Sequence, residues 1–284
     1  MPGKAKEFEN QVVVIAGGAG GIGKALALGF ASQGARLVIA DAGTDLEGRD
    51  ADDSVAQRST EELVALGSSA ICFTEDLARS DARARLLRHS LDTYGSVDIL
   101  IYCAGYRSEQ SVLQMEEHEL GRAMEVHAHA PIDLVRRFAQ HWVQDRTPGI
   151  SIVCTSPLAF FGASRQSALS AAGGAVVAFC KSASLDLRKY GVRVHALLPT
   201  ARTRMTEDLP VFKKLRPEVM EPDHLLPLVQ FLCSDAGKDV SGEVLGIAGT
   251  RCYSVQSRET AGIFAEGTMF EVDEIQKNWR GVFR

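Results

Sequence analysis

Two periodicities alternate along the chain. Val12 to Ala16 is an unbroken apolar run of strand type, and Ile22, Leu26 and Phe30 then recur at helical spacing. A second run, Arg36 to Ala40, ends in Asp41. The polar, acidic stretch Gly43 to Arg58 is longer than an ordinary connection and is expected as a surface loop. After it come an apolar run to Thr74, a helix from about Arg79 to Tyr94, and the strand V-D-I-L-I-Y-C-A-G. A long helix from about Glu116 to Gln144 leads to the strand I-S-I-V-C-T-S, and a helix from about Ser167 to Tyr190 leads to V-R-V-H-A-L-L-P. A helix near Asp223 to Leu232 and the strand E-V-L-G-I-A-G complete the alternation. Strands separated by helices need crossover connections, so the pattern predicts an α/β fold with a doubly wound, parallel, seven-stranded sheet. One domain over residues 1–284 is expected, with residues from about 252 onward as a C-terminal extension packed on it.

Composition narrows the function classes. The 284 residues are 45% hydrophobic and 24% charged with a formal net charge of −5, enough apolar material for one full core. The acidic balance and the lack of a basic cluster argue against nucleic acid as a partner. No stretch reads as both long and apolar enough to span a bilayer, and M-P-G-K-A-K-E lacks the apolar region of a signal peptide. The expectation is therefore no membrane partner and a cytoplasmic location, or an equivalent reducing compartment. Cys72, Cys103, Cys154, Cys180, Cys233 and Cys252 are widely spaced and read as small core residues. His127 and His129 stand two apart on a helix and point to different faces, so no metal site is expected.

The glycines between the first strand and helix carry chemistry. Gly17, Gly18, Gly20, Gly21 and Gly23 permit a tight turn and let a diphosphate approach the backbone, where the helix N-terminus offers unpaired N–H groups. Asp41 falls about 20 residues beyond that turn, where a carboxylate accepts hydrogen bonds from an adenine ribose and repels a 2′-phosphate. This favours NAD over NADP.

A-G-G-A-G-G-I-G, Y-C-A-G and the serine of C-T-S-P resemble the short-chain dehydrogenase/reductase family over nearly the full chain, with its Rossmann-like fold. Within that family the chain is most similar to (3R)-hydroxyacyl-CoA dehydrogenases of the multifunctional β-oxidation type. The long loop after Asp41, V-H-A-H-A, L-L-P-T-A-R-T-R-M-T-E-D-L-P and E-I-Q-K-N-W-R-G-V carry that closer likeness. The resemblance implies cofactor contacts at Gly17, Gly20, Gly21, Ile22, Gly23, Asp41, Asp76, Leu77, Cys103, Ala104 and Gly105. Ala16 replaces the family's threonine, and Tyr102 and Cys103 replace two asparagines.

The resemblance also implies a serine, tyrosine and lysine supported by an asparagine. Ser156 matches the serine, and His127 stands at the asparagine position, where the hydroxyacyl-CoA subgroup also tolerates histidine. Thirteen residues after Ser156 the tyrosine should appear, and the lysine four further on; the chain has Leu169 and Gly173. Leucine has no proton to exchange, and glycine cannot reach a ribose. General acid–base catalysis contributes about 10²- to 10⁴-fold, and residues acting as a unit fail together. Ser156 and His127 therefore read as vestigial catalytic positions, and NAD binding as weak or absent. Ser170 and Lys181 are poorly placed to substitute, whereas spacing leaves Tyr102 and Arg165 open.

Pro131 lacks the N–H that would pair with the His127 carbonyl and is expected to kink its helix. The small residues of S-A-L-S-A-A-G-G-A-V-V-A-F-C-K-S-A-S permit close helix approach, consistent with the family's subunit contact. The expected partners are an active relative in a hetero-oligomer, or a second copy, in acyl-CoA metabolism. An active NAD-dependent 3-hydroxyacyl-CoA dehydrogenase with a rearranged site is the runner-up reading, and a regulatory nucleotide or acyl-CoA binding module the third.

Overall fold

The computed structural model describes residues 6–284. Eight strands form one sheet: β1 (Val12–Ala16), β2 (Arg36–Ala40), β3 (Ala70–Phe73), β4 (Ile99–Tyr102), β5 (Gly149–Cys154), β6 (Val192–Thr200), β7 (Val244–Ala248) and β8 (Arg251–Ser254). The order is β3-β2-β1-β4-β5-β6-β7-β8. β1 to β7 pair in parallel, and all five residues of β1 are buried, as a strand covered on both faces requires. The strand order reverses beside β1, which opens a crevice at the carboxyl ends of β1 and β4.

The eighth strand corrects the expected seven. β8 runs antiparallel to β7 after a turn at Gly249, φ +56°, and its sequence R-C-Y-S has no apolar run to announce it. Gly246 makes room for it, because a Cβ there would lie 2.1 Å from the ring of Tyr253.

Helices fill the crossovers: α1 (Gly21–Ser32), α2 (Asp53–Ala65), α3 (Ser80–Tyr94), α4 (Glu117–Met124), α5 (Ala130–Asp145), α6 (Leu158–Phe161), α7 (Ser167–Leu187), α8 (Pro210–Lys213) and α9 (Leu226–Cys233). The loop expected to reach Arg58 stops at Asp52, whose carboxylate accepts from the Ser54 N–H and caps α2. Residues Glu125–His129 join α4 to α5 as one π turn, so the expected long helix is continuous but not uniform. Pro131 supplies the cause by removing a donor. The Ala130 N–H bonds to Glu125 O, five residues back, and the Tyr102 hydroxyl donates to Val126 O at 2.6 Å.

The expectation that no segment is long and apolar enough to cross a bilayer is also corrected. Ser167–Tyr190 is 24 residues long and contains an 18-residue stretch apolar enough to meet that measure by length and composition. Alanine, glycine and valine raise its hydropathy without adding bulk. In the fold it lies along β6 and α6 and buries Ala168, Ala172, Gly173, Val176, Val177 and Cys180.

The chain divides into two units, the larger ending at Ser254 and the smaller covering Val255–Arg284. The smaller holds α10 (Val272–Asn278) and a 3-10 turn, Trp279–Phe283. Bonds from Ala261 N–H to Arg284 O and from the Thr260 hydroxyl to Val282 O close it.

Candidate functional site

The glycine turn sits at the carboxyl end of β1 and fixes one wall of an open groove. Gly17 has φ +76°, and a Cβ on it would lie 2.5 Å from the Ala104 nitrogen, so β4 approaches only because the position is glycine. Gly23 has the same logic toward the turn itself, where a Cβ would meet Gly17 O at 2.0 Å. Of the expected cofactor positions, Gly17, Gly20, Gly21, Ile22, Asp41, Asp76, Leu77, Ala104 and Gly105 line the groove. Gly23 and Cys103 do not. Gly23 lies behind the turn in its packing role, and the Cys103 sulfur faces Cys154 Sγ at 3.4 Å.

Asp41 is held at the mouth of the groove. One carboxylate oxygen accepts from the Ala19 N–H at 3.0 Å and the other from the Gly43 N–H at 2.9 Å, which fixes the side chain between the glycine turn and the following loop. Each oxygen keeps acceptor capacity for a further donor.

Several lining residues escaped the sequence reading: Thr44 and Gly48 of the long loop, Tyr106, Arg122, and Thr203 to Met205 after β6. The Arg204 guanidinium donates to Thr44 O at 2.8 Å. Arg107 donates its backbone N–H to Leu46 O and pairs with Asp208 at 2.7 Å. The loop after Asp41 is thereby tied to the segment after β6. The motif L-L-P-T-A-R-T-R-M was a signal for these residues, although their reach across the groove depends on tertiary contact.

His127 lies on the π turn with its ring against Gly105, where a Cβ would come within 2.7 Å. The ring packs on Tyr106 at 5.0 Å between centroids, and its Nε2 accepts from the Tyr106 N–H at 3.4 Å. Burial lowers its pKa to about 4, so the imidazole is neutral at pH 7. His129, by contrast, is exposed and pairs with Glu125.

Ser156 stands at the end of β5, and its hydroxyl accepts from the Leu158 N–H at 3.2 Å in the turn into α6. Gly173 is buried beside the same segment. A Cβ on it would lie 2.9 Å from Thr155 Oγ1 and 3.1 Å from Ala159 Cβ, so the absent side chain is what lets α6 seat on α7. Leu169 is half-buried one turn earlier.

The residues that spacing left open are engaged elsewhere. Tyr102 is buried with its hydroxyl bound to Val126 O, and burial raises its pKa far above the ordinary range. Arg165 is exposed with φ +63° and donates to Glu109 O. Lys181 places its ammonium over the Phe160 ring at 5.9 Å.

A parallel doubly wound sheet with a glycine turn and an acid closing β2 defines a nucleotide-binding class of fold, and the chain belongs to the short chain dehydrogenase family, whose pattern matches residues 11–212. It is 27% identical to peroxisomal multifunctional enzyme A of Dictyostelium discoideum over 97% of this chain; it spans 60% of that protein's length. It is also 27% identical to hydroxyacyl-CoA dehydrogenase ChsB1 of Mycobacterium tuberculosis, over 98% of this chain and 90% of that one. The crystal structure of a short chain dehydrogenase from Mycobacterium avium superposes with a TM-score of 0.86 at 28% identity, covering 98% of this chain and 96% of that chain.

The adenosine side of an NAD molecule fits what is present. No atom lies within 4 Å of a Cβ built on Gly20, so the turn is open to a ligand there, and Asp41 flanks it. The other half does not fit as well. Ser156, Leu169 and Gly173 lie outside the groove lining, and the space at Gly173 is taken by the protein's own side chains.

Proposed function

We propose that this chain is a catalytically silent member of the short chain dehydrogenase family, acting as partner of an active subunit in an NAD-dependent hydroxyacyl-CoA dehydrogenase. The observation that carries the reading is the leucine and glycine at positions 169 and 173, thirteen and seventeen residues after Ser156. A phenol and an ammonium are the proton carrier and ribose anchor that the family pattern places there, and neither replacement supplies a titratable group. The surroundings support it: Tyr102, Arg165 and Lys181 are all committed to other contacts. Ser156 and His127 keep structural roles, one in a turn and one against Tyr106. The names of the relatives suggest hydroxyacyl-CoA as the substrate class of the assembly.

Any NAD bound by this chain is weakly held through Asp41 and the glycine turn. The six cysteines are all free thiols, in keeping with a reducing compartment such as the cytoplasm. The test is turnover. Purified alone, the protein is expected to show no NAD-dependent oxidation of 3-hydroxyacyl-CoA thioesters. Robust activity abolished by Ser156→Ala would overturn the reading in favour of an active enzyme with a rearranged site.

A further inference from the structure

β4 and β5 pair in parallel up to Tyr102 and Val153, and the next residue on each is a cysteine. Extending that register by one sets Cys103 beside Cys154. Both then leave the same face of the sheet as Ile101 and Ile152 and pack on the core layer that holds them. Neighbouring strands lie about 4.8 Å apart, inside the range of about 4.4–6.8 Å between α-carbons that a disulfide spans. The two sulfurs, 51 positions apart in the chain, already face each other at 3.4 Å, with the Cys103 S–H donating to Cys154 Sγ. Closing that gap to about 2 Å takes modest rotations about two Cα–Cβ bonds, at a point where no further β4–β5 ladder pair resists them. Both thiols are free and only half-buried. The other four cysteines stand apart, on β3, α7, α9 and β8. Burial pushes the Cys180 thiol up to about 12 and the Cys233 thiol higher still, which keeps both protonated and inert. The Cys103 thiol is pushed up too, by its hydrogen bond to Cys154 and by burial, so its proton stays in place and Cys154 is the sulfur that meets an oxidant first.

We propose that Cys103 and Cys154 form a reversible oxidation site, at which a hydroperoxide converts the facing thiols to a disulfide across the ends of β4 and β5. The inference goes beyond the silent-subunit reading and does not depend on it. With hydrogen peroxide, Cys154 gives its proton to solvent and its sulfur attacks one peroxide oxygen. The O–O bond breaks, Cys154 becomes a sulfenic acid, and hydroxide leaves to take up the proton as water. The Cys103 sulfur then attacks the Cys154 sulfur. The S–S bond forms as the S–O bond breaks, and the Cys103 proton departs with the hydroxide as a second water. Two thiols are oxidised and one peroxide is reduced to two waters. A small-molecule dithiol reverses the step by exchange, becoming the disulfide itself while both protein thiols are restored. The cross-link joins the strand end that precedes Ala104 and Gly105 of the groove to the one that precedes Ser156.

The experiment treats the native full chain with hydrogen peroxide near neutral pH, alkylates the remaining thiols after denaturation, and maps the products by peptide mass spectrometry. Cys252 is exposed, so a Cys252→Ser chain is run in parallel to exclude links between molecules. Both chains are expected to yield a peptide joining Cys103 to Cys154, about 2 Da lighter than the two thiol peptides together, and dithiothreitol should return both cysteines to the alkylated pool. In Cys103→Ser the sulfenic acid has no partner to resolve it, so dimedone should label Cys154. In Cys154→Ser, dimedone labelling of Cys103 is expected to be at least about tenfold lower. Circular dichroism reports the fold of both variants, and the map of the unsubstituted chain decides even if one of them fails to fold. Full alkylation of Cys103 and Cys154 under peroxide that oxidises Cys252 would overturn the proposal. So would a cross-link that forms only in denatured chain, a link from either residue to another cysteine, or equal dimedone labelling in the two folded variants.

Discussion

Adjacent glycines on α7 behave oppositely. At Gly174 a Cβ would meet only Ala159 O at 3.9 Å, so Gly174→Ala removes a flexible residue from a helix interior at no steric cost. It is expected to stabilise by about 0.5–1 kcal/mol. At Gly173 the same methyl would press on Thr155 Oγ1 at 2.9 Å. Overpacking costs about 1–3 kcal/mol against a helix gain of about 1, so Gly173→Ala is expected to lose about 1 kcal/mol net. Urea melts of the two variants check the pair; equal stabilisation would mean that α6 yields freely. Histidine supplies a second residue-scale prediction. Burial holds His127 and His195 at about 4, below the ordinary 6.5, with the Arg193 charge adding to the effect on His195. The unfolded chain therefore binds protons between pH 6.5 and 4 that the folded chain refuses, and stability falls as pH drops through that window with a slope of up to two protons. Asp133, held at about 2 by Arg137, Arg136 and Arg83 against the effect of burial, acts only below it. His127→Gln should about halve the slope in melts run from pH 7 to 5.5, above the range in which Glu75, Glu119 and Glu125, each held below 4.5, add their own protons.

At the scale of elements, the turn between α4 and α5 shows how one residue type reshapes a helix. Pro131 has no N–H, the ladder shifts to a five-residue bond at Ala130, and Val126 O is left for a side chain to satisfy. Tyr102, on β4, supplies the donor. Tyr102→Phe leaves that carbonyl without its partner and is expected to cost about 1–2 kcal/mol in denaturant melts, with no change in fold by circular dichroism. An unchanged midpoint would mean that water replaces the phenol. Proline made the irregularity legible in the sequence; its partner, 29 positions earlier, was not, because strand β4 meets the turn only through the fold.

For the whole molecule the prediction concerns assembly. The outer faces of α5 and α7 leave an apolar groove lined by Val135, Ala139, Val143, Phe179, Ala183 and Leu187. Apolar surface of this kind is covered by a second subunit at little cost when small residues allow close approach. Native mass spectrometry of protein from its source is expected to give a mixed dimer or tetramer containing a relative with the tyrosine and lysine. Val143→Glu should shift the distribution to monomer while preserving circular dichroism. A stable wild-type monomer would sink the assembly claim, and a pure homo-oligomer would sink the heteromeric one.

The sequence by itself determined the sheet, because runs such as Val12 to Ala16 and Arg36 to Ala40 are buried on both faces and leave an unbroken apolar signature. It also determined the glycine turn, Asp41, and the leucine and glycine at positions 169 and 173, since these are local facts of residue type and spacing. Short range failed where polarity was ambiguous: α2 begins at Asp53 inside a stretch that reads as loop, and β8 has no apolar run. Only the tertiary structure decided that Arg204 reaches Thr44, that His127 meets the Tyr106 backbone, and that Thr155 and Ala159 occupy the space at Gly173. The first joins two crossovers and the other two close within one crossover each, but in all three the geometry is fixed by how the helices seat on the sheet, which no local pattern encodes.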